Sequence, residues 1–137
     1  MKYENLRYGS KYPSHCPPED SYLPDKETVY RACKTDIVDK NGKLSLDNFI
    51  PVCEDEKRVF ENKEEICKSK AISFFSDESY LEKTMEKFPA IGDKIIEVKL
   101  NPDCGYLEKT NSKHYSLWDL NKPNISDAIG NNWEQIK

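Results

Sequence analysis

The clearest alternation of hydrophobic and polar positions lies in residues 94–100, KIIEVKL, where Ile, Val and Leu side chains are separated by charged ones. A period of two is typical of a strand with one buried face. The next residues, 101–105 (NPDCG), have the composition of a turn. A second β-rich run, YLEKT, follows at 106–110. The pattern therefore predicts two strands joined by a tight turn.

A strand followed by a helix is predicted immediately before them. Residues 71–75 (AISFF) form a short apolar run, and Ser76 or Asp77 is a suitable N-cap for a helix. Pro89 and Gly92 are expected to end this helix. The apolar positions between cap and proline have helical spacing: Leu81, Met85 and Phe88.

The first half of the chain has weaker patterns. Residues 27–33 (ETVYRAC) are rich in β-branched and aromatic side chains and predict a strand. Residues 39–42 (DKNG) predict a turn, and 43–50 a short alternating piece. Residues 54–70 are highly charged and predict a helix. The apolar stripe expected on it consists of Val59, Phe60, Ile66 and Cys67.

The two ends of the chain differ from each other. Four prolines interrupt residues 1–27, which predicts an extended, irregular lead-in packed on the domain. Residues 114–120 (HYSLWDL) predict a late strand, and Trp133 and Ile136 are expected to anchor the C-terminus. Residues 28–137 are then a single α+β domain: a small, mainly antiparallel sheet with one or two helices.

The composition restricts the kinds of molecule that the protein is expected to bind. The 137 residues carry 21 basic and 25 acidic side chains, a net charge of −4. Nucleic-acid binding by counterion release requires a basic surface, so this balance argues against it. No apolar run is long enough to cross a membrane. These features predict a cytoplasmic protein whose oligomeric state the sequence leaves open.

The cysteines are odd in number and irregularly spaced, without a C-x-x-C pair. In a cytoplasmic protein this pattern predicts free thiols, mostly acting as small hydrophobic side chains. The five positions are Cys16, Cys33, Cys53, Cys67 and Cys104.

Several patterns that bind metals or cofactors are incomplete. The run starting at Asp39 has its glycine at the fourth position, whereas a calcium-binding loop needs it at the sixth and an acid at the twelfth. His15 and Cys16 are adjacent, so in an extended chain they point in opposite directions and form no zinc pair. No glycine-rich phosphate loop is present. We therefore predict no metal and no cofactor.

A sparse set of polar and aromatic residues remains as a candidate site. Arg31 shares a strand face with two apolar residues, so if buried it requires a carboxylate or a bound anion. An ion pair with one of the many acids is the structural alternative to a ligand site. The candidate binding residues are Tyr30, Arg31, His114 and Trp118. If the protein is an enzyme, the candidate catalytic residues are Arg31, Ser73, Glu108 and His114.

The order of these residues resembles that of small ADP-ribosyltransferases. The resemblance rests on Tyr30-Arg31, on residues 71–75 with the helix after them, and on the strand at 95–98. It implies an NAD-using enzyme in which Arg31 holds the phosphates, Ser73 supports the nicotinamide ribose and Glu108 stabilises the cationic sugar. The Ser-Thr-Ser run and the Glu-x-Glu pair of that family are absent.

A second resemblance spans nearly the whole chain. Cys16-Pro17-Pro18, Val29-Tyr30-Arg31, residues 71–74 and the His114–Trp118 run are similar to landmarks of small bacterial proteins from accessory genomic regions. Toxins, antitoxins, immunity proteins and phage-defence components collect in such regions. The resemblance implies no particular chemistry.

Two functions follow as hypotheses. The first is a non-enzymatic protein that binds another protein, as an immunity, antitoxin or phage-defence component; its many Tyr side chains suit a binding surface. The second is a divergent NAD-using enzyme related to the ADP-ribosyltransferases, with NAD as cofactor. Whether the protein is an enzyme stays open at this level.

Overall fold

The computed structural model describes residues 5–137, which form one six-stranded antiparallel sheet and three α-helices. The strands are β1 (Thr28–Cys33), β2 (Ile72–Phe75), β3 (Lys94–Lys99), β4 (Gly105–Asn111), β5 (His114–Asp119) and β6 (Trp133–Gln135). The helices are α1 (Lys63–Ser69), α2 (Glu78–Lys87) and α3 (Ile125–Ile129). The strand order is β4-β5-β2-β1-β3-β6. The predicted α+β class is confirmed, with one short helix, α3, that was not predicted.

One face of the sheet, the loop face, carries the largest hydrophobic cluster. Residues from β1, β2, β3, β4 and β5 meet α3 and the loop between β1 and α1 there. The rings of Phe49, from that loop, and Phe74, from β2, lie 6.3 Å apart. Most of this face is apolar because alternate residues of the central strands are apolar, with Arg31 of β1 as the exception.

The opposite face, the helical face, carries two smaller clusters. Leu81 and Met85 of α2 pack on Ile95 over one half of the sheet. Trp118 and Cys67 pack with the N-terminal segment over the other half. Because Ile95 and Ile96 are both fully buried, β3 has apolar contacts on both faces.

Helix α2 follows its sequence signals closely. The Asp77 carboxylate accepts a hydrogen bond from the Tyr80 amide at 3.1 Å, so the helix begins at the predicted cap. Leu81 and Met85 are buried as predicted. Phe88 follows the last helical residue and is 60% exposed. The predicted apolar stripe is therefore one residue too long.

The long helix predicted over residues 54–70 is wrong. Only Lys63–Ser69 is helical, because the Asn62 side chain accepts from the Glu65 amide at 2.9 Å and fixes the start there. The Glu65 carboxylate in turn accepts from the Glu61 amide at 2.8 Å. Val59, expected on the buried stripe, is 85% exposed in the irregular segment before the cap.

The predicted strand-like piece at 43–50 is also replaced by a turn. The predicted turn at 39–42 forms, with the Asp39 carboxylate accepting from the amides of Asn41 and Lys43. A single bridge, Val38↔Leu44, follows, and then a 3-10 turn over Leu46–Asn48. A buried polar side chain, Asn48, holds this loop together through hydrogen bonds at both its oxygen and its nitrogen.

The N-terminal segment, residues 5–27, contains no helix and no strand of more than one bridge. Arg7 forms an ion pair with Asp119 at 2.7 Å, and a disulfide joins Cys16 to Cys67 of α1. Residues 1–4 of the predicted lead-in lie outside the described residues. The division of the chain at residue 27 stays a prediction.

The disulfide corrects the prediction that all five cysteines are free thiols. Cys16 and Cys67 are 51 residues apart in sequence and 5.6 Å apart at Cα. Cys33 and Cys104 are free and buried, and Cys53 is free and partly exposed. An odd cysteine count with irregular spacing gave no sign of the pair, because the fold rather than the spacing brings these two side chains together. In residues 5–137 no helix has the length and apolarity to span a bilayer.

Candidate functional site

A cavity of about 610 Å³ opens on the helical face, between α1, the segment 52–60 and strands β2, β4 and β5. We call it the central cleft. Its lining is predominantly polar on the side of the sheet and of α1, and partly apolar at the mouth. The lining residues are Val52, Arg58, Val59, Phe60, Glu65, Lys68, Ser69, Ser73, Thr110, Asn111, His114 and Ser116.

The floor of the central cleft is built by strand pairing. Ser73 of β2 lies directly opposite Ser116 of β5, so both hydroxyls lie on the helical face while their neighbours Phe74 and Leu117 enter the core. Ser116 is only 3% exposed. Neither hydroxyl forms a hydrogen bond to another group of residues 5–137. Two hydroxyl groups at the bottom of the cleft therefore retain their full hydrogen-bonding capacity.

His114 forms the floor next to these serines. Its Nδ1 lies 2.6 Å from the Thr110 hydroxyl, and that hydroxyl also lies 3.2 Å from the His114 carbonyl oxygen. The Phe75 ring contacts the imidazole edge to face, with centroids 5.7 Å apart. Burial lowers the pKa of His114, and the positive charges of Arg31 and Lys68 lower it further. The ring is accordingly neutral at pH 7.

Two cationic side chains line the cleft above this floor. Lys68 extends from α1 and lies 3.4 Å from Glu64, with both groups largely exposed. Arg58 lies over the Phe60 ring at 5.8 Å and pairs with no carboxylate among the described residues. Glu65, the carboxylate of the lining, already accepts a hydrogen bond from a backbone amide. Arg58 is therefore the charged side chain of the cleft with the fewest polar partners.

The mouth of the cleft is apolar. Val59 is 85% exposed and Val52 is 41% exposed, although both contribute to the lining. Phe60 lies next to Val59 in sequence and is partly buried. Exposed aliphatic side chains grouped at a cavity are characteristic of a contact surface.

A second cavity of about 580 Å³ adjoins the first along α1, since Lys68 lines both. It lies beside the disulfide, with Cys67, His15 and Ser14 in its wall. Glu108 of β4 also lines it and is the register partner of Ser116. Burial raises the pKa of Glu108, while Lys68 opposes that change.

Arg31 lines neither cavity. Its guanidinium donates to the Asn48 carbonyl at 2.9 Å and to the Ser73 carbonyl at 2.7 Å. No ion pair joins it to an acidic residue in the described part of the chain, so the predicted carboxylate partner is wrong. Burial lowers the pKa of Arg31 to about 10, which leaves it charged at neutral pH. Backbone carbonyl dipoles take the place of the expected anion.

Tyr30 and Trp118, predicted as binding residues, have packing positions. Tyr30 lies against the α2 cluster with Phe75. Trp118 is fully buried, and its indole nitrogen donates to the Cys67 carbonyl at 3.0 Å. Neither lines either of the two cavities described above, so these give the two predictions no support.

The structure thus brings together some predicted residues and adds others. Ser73 and His114 share the central cleft, and Glu108 lies in the adjoining cavity. Arg58, Val59 and Lys68 were missed, because residues 54–70 were predicted as one helix with Arg58 and Lys68 on its solvated face and Val59 on its buried stripe. Within residues 5–137 no group of three or more His, Cys, Asp or Glu side chains has the geometry of a metal site.

Comparison with known proteins adds no relative. No protein family, no curated protein and no solved structure matches the chain.

Proposed function

We propose that the protein acts by binding another protein, and that the partner docks over the mouth of the central cleft. The observation that carries this proposal is the exposure of Val59 and Val52 at the opening of a polar cavity. Exposed aliphatic residues beside a cavity provide the apolar contact from which most interface stability comes. A partner that covers these two side chains removes their apolar surface from water, which stabilises the complex.

The charges around the opening indicate the chemistry of the partner surface. Arg58 and Lys68 lie at the cleft, whereas the whole chain has a net charge of −4. A locally cationic site on an acidic protein favours a partner that presents a carboxylate at this point. The proposed occupant is therefore a protein surface with an acidic residue among apolar ones.

The NAD-using enzyme remains a second candidate on one observation, the gathering of Ser73, His114 and Glu108 along two adjoining cavities. The role assigned to Arg31 has no geometric support, since its guanidinium is engaged by two carbonyls. Calorimetry with NAD at millimolar concentration tests this candidate. Saturable binding of NAD, together with NAD turnover that Glu108→Gln abolishes, supports it, and absence of binding removes it.

The cellular setting is a matter for proposal as well. Membership of an immunity, antitoxin or phage-defence system stays a prediction, as does the cytoplasmic location. The disulfide between Cys16 and Cys67 favours an oxidising compartment, because cytosolic thiols are normally kept reduced. The redox state of these two cysteines in the host separates the two locations.

Site-specific photo-crosslinking in the host tests the proposed function. A photoreactive residue replaces Val59 at the cleft mouth in one variant and Phe88 in the control. Phe88 is also well exposed, at 60%, but follows α2 and lines neither cavity. We expect a discrete crosslinked protein from position 59 and none of that mass from position 88.

Equal crosslinking from both positions contradicts the docking site, since it means that contact does not depend on the cleft. Absence of any crosslinked species from position 59, with the protein folded and expressed, contradicts the proposed function itself.

A further inference from the structure

The central cleft has an excess of hydrogen-bond donors without partners. Among residues 5–137 the hydroxyls of Ser73 and Ser116 make no hydrogen bond, and the Arg58 guanidinium contacts only an aromatic face. Buried polar groups in folded proteins are nearly always paired with protein, water or ligand. Ser116 as a whole is 3% exposed and lines the cleft.

Two acceptors of the cleft are already engaged. Glu65 is the one carboxylate of the lining, and one of its oxygens accepts from the Glu61 amide at 2.8 Å. The Ser69 hydroxyl donates to the Ile66 carbonyl at 2.6 Å, which uses its hydrogen within α1. A ligand that supplies acceptors therefore complements this cleft better than one that supplies donors.

The formal charge of the lining sets the charge of the ligand. Lys68 is paired with Glu64 at 3.4 Å, so Arg58 is the cation of the lining that has no carboxylate partner among residues 5–137. A single carboxylate balances that charge, and its two oxygens match the planar fork of a guanidinium. A dianionic phosphate would leave one negative charge without compensation.

We propose that the floor of the central cleft is an oxyanion subsite that takes one carboxylate group, held by Arg58 and by the hydroxyls of Ser73 and Ser116. The assignment rests on the proposed function for the origin of that carboxylate, which is an aspartate or glutamate side chain of the partner protein. The apolar side chains at the mouth then contact the residues that flank it.

Nuclear magnetic resonance titration of the full chain tests the subsite without the partner. The probe is N-acetylglutamic acid α-amide, which carries one carboxylate; N-acetylglutamine α-amide is its neutral control. At constant ionic strength we expect saturable shifts of the backbone amides of Ser73, Thr110 and Ser116 with the acid. The neutral amide is expected to cause none.

Two variants and a matched control make the assignment specific. Arg58→Gln removes the cation at the cleft and is expected to weaken binding of the acid about tenfold. Lys57→Gln removes one positive charge at the neighbouring position, which lines neither cavity, and is expected to leave the affinity unchanged. Ser116→Ala changes little volume and is expected to weaken binding about threefold to tenfold.

Three results overturn the subsite. The first is that the neutral amide shifts the same residues as strongly as the acid. The second is that Arg58→Gln and Lys57→Gln weaken binding equally. The third is that inorganic phosphate causes saturable shifts of these residues while the acid does not. The last result assigns the oxyanion to a phosphorylated ligand instead of a protein carboxylate. Crosslinking from position 59 is independent of all three, so the partner proposal and the subsite fail separately.

Discussion

At the scale of single residues, Arg31 satisfies hydrogen bonds that the sheet itself leaves open. Strands β1 and β2 share only the pair Tyr30↔Phe75. Beyond that pair the guanidinium donates to the Ser73 carbonyl of β2 and to the Asn48 carbonyl of the loop. Arg31, for which the sequence predicted either an ion pair or a ligand site, thus donates to two backbone carbonyls at the junction of two strands and a loop.

Removing this guanidinium is expected to destabilise the fold. Arg31→Met keeps much of the side-chain volume but leaves two carbonyls without donors, so we expect the free energy of unfolding to fall by about 2 to 3 kcal/mol. Arg58→Met, which removes a solvent-exposed cation, is the control and is expected to change it by less than about 0.5 kcal/mol. Urea denaturation followed by tryptophan fluorescence measures both. Equal losses in the two variants would contradict the role of Arg31.

His114 provides a pH-dependent prediction. Its pKa in the folded protein lies below the value of about 6.5 of an unperturbed imidazole, because of burial and the nearby cations. The unfolded chain therefore binds more protons as pH falls below 6.5, and stability is lost through that window. We expect a histidine ring titration with a midpoint below 6.5 by nuclear magnetic resonance.

The variant His114→Gln identifies the source of this effect. It is expected to reduce the loss of stability between pH 7 and pH 5 relative to the wild-type chain. A His114 midpoint above 6.5 would mean that an acid, and not burial, controls the ring.

At the scale of elements, the sequence predicts well wherever local signals agree. In β3 the alternation of side chains, and in α2 the cap and the apolar spacing, point to the same element, and both form within one or two residues of the expected bounds. In residues 54–70 the signals conflict, because two apolar pairs have helical spacing while Asn62 is a strong N-cap between them. The cap decides the outcome and leaves Val59 outside the helix.

The candidate site was less predictable than the fold, because part of it lies in the irregular segment before α1. The face shared by His114 and Ser116 follows from the period of β5, and its pairing with β2 brings Ser73 beside it. Arg58 and Val59 reach the cleft only because the segment before α1 is irregular. No periodic pattern encodes the position of such a segment, since it depends on contacts distant in sequence.

The disulfide is the feature that most changes the stability expected from the sequence. Closing a loop of 51 residues reduces the entropy of the unfolded chain, so removing the bond is expected to cost about 2 to 4 kcal/mol. The double variant Cys16→Ser/Cys67→Ser should show this loss in urea denaturation under oxidising conditions. Cys53→Ser, which removes a free cysteine, should not.

Reduction provides the complementary result. With excess dithiothreitol the wild-type chain should match the double variant, while the double variant itself is unaffected. A wild-type stability that is independent of the reductant would contradict the bond.

At the scale of the whole molecule, the two faces of the sheet have different tasks. The loop face is sealed by one continuous cluster. The helical face is covered by α2 on one half and by α1 with the N-terminal segment on the other, and the central cleft opens between α1, the segment 52–60 and strands β2, β4 and β5. The proposed binding surface is consequently held on one side by β-strands and on the other by a short helix tethered through the disulfide.

Hydrogen–deuterium exchange tests the location of that surface most directly. The exchange of the chain alone is compared with that of its complex, isolated from the host through a tag on the chain. We predict that protection in the complex concentrates in residues 52–60 and 108–116, around the central cleft. Protection confined to α2 and the residues after it, with 52–60 exchanging as in the free chain, would contradict the account.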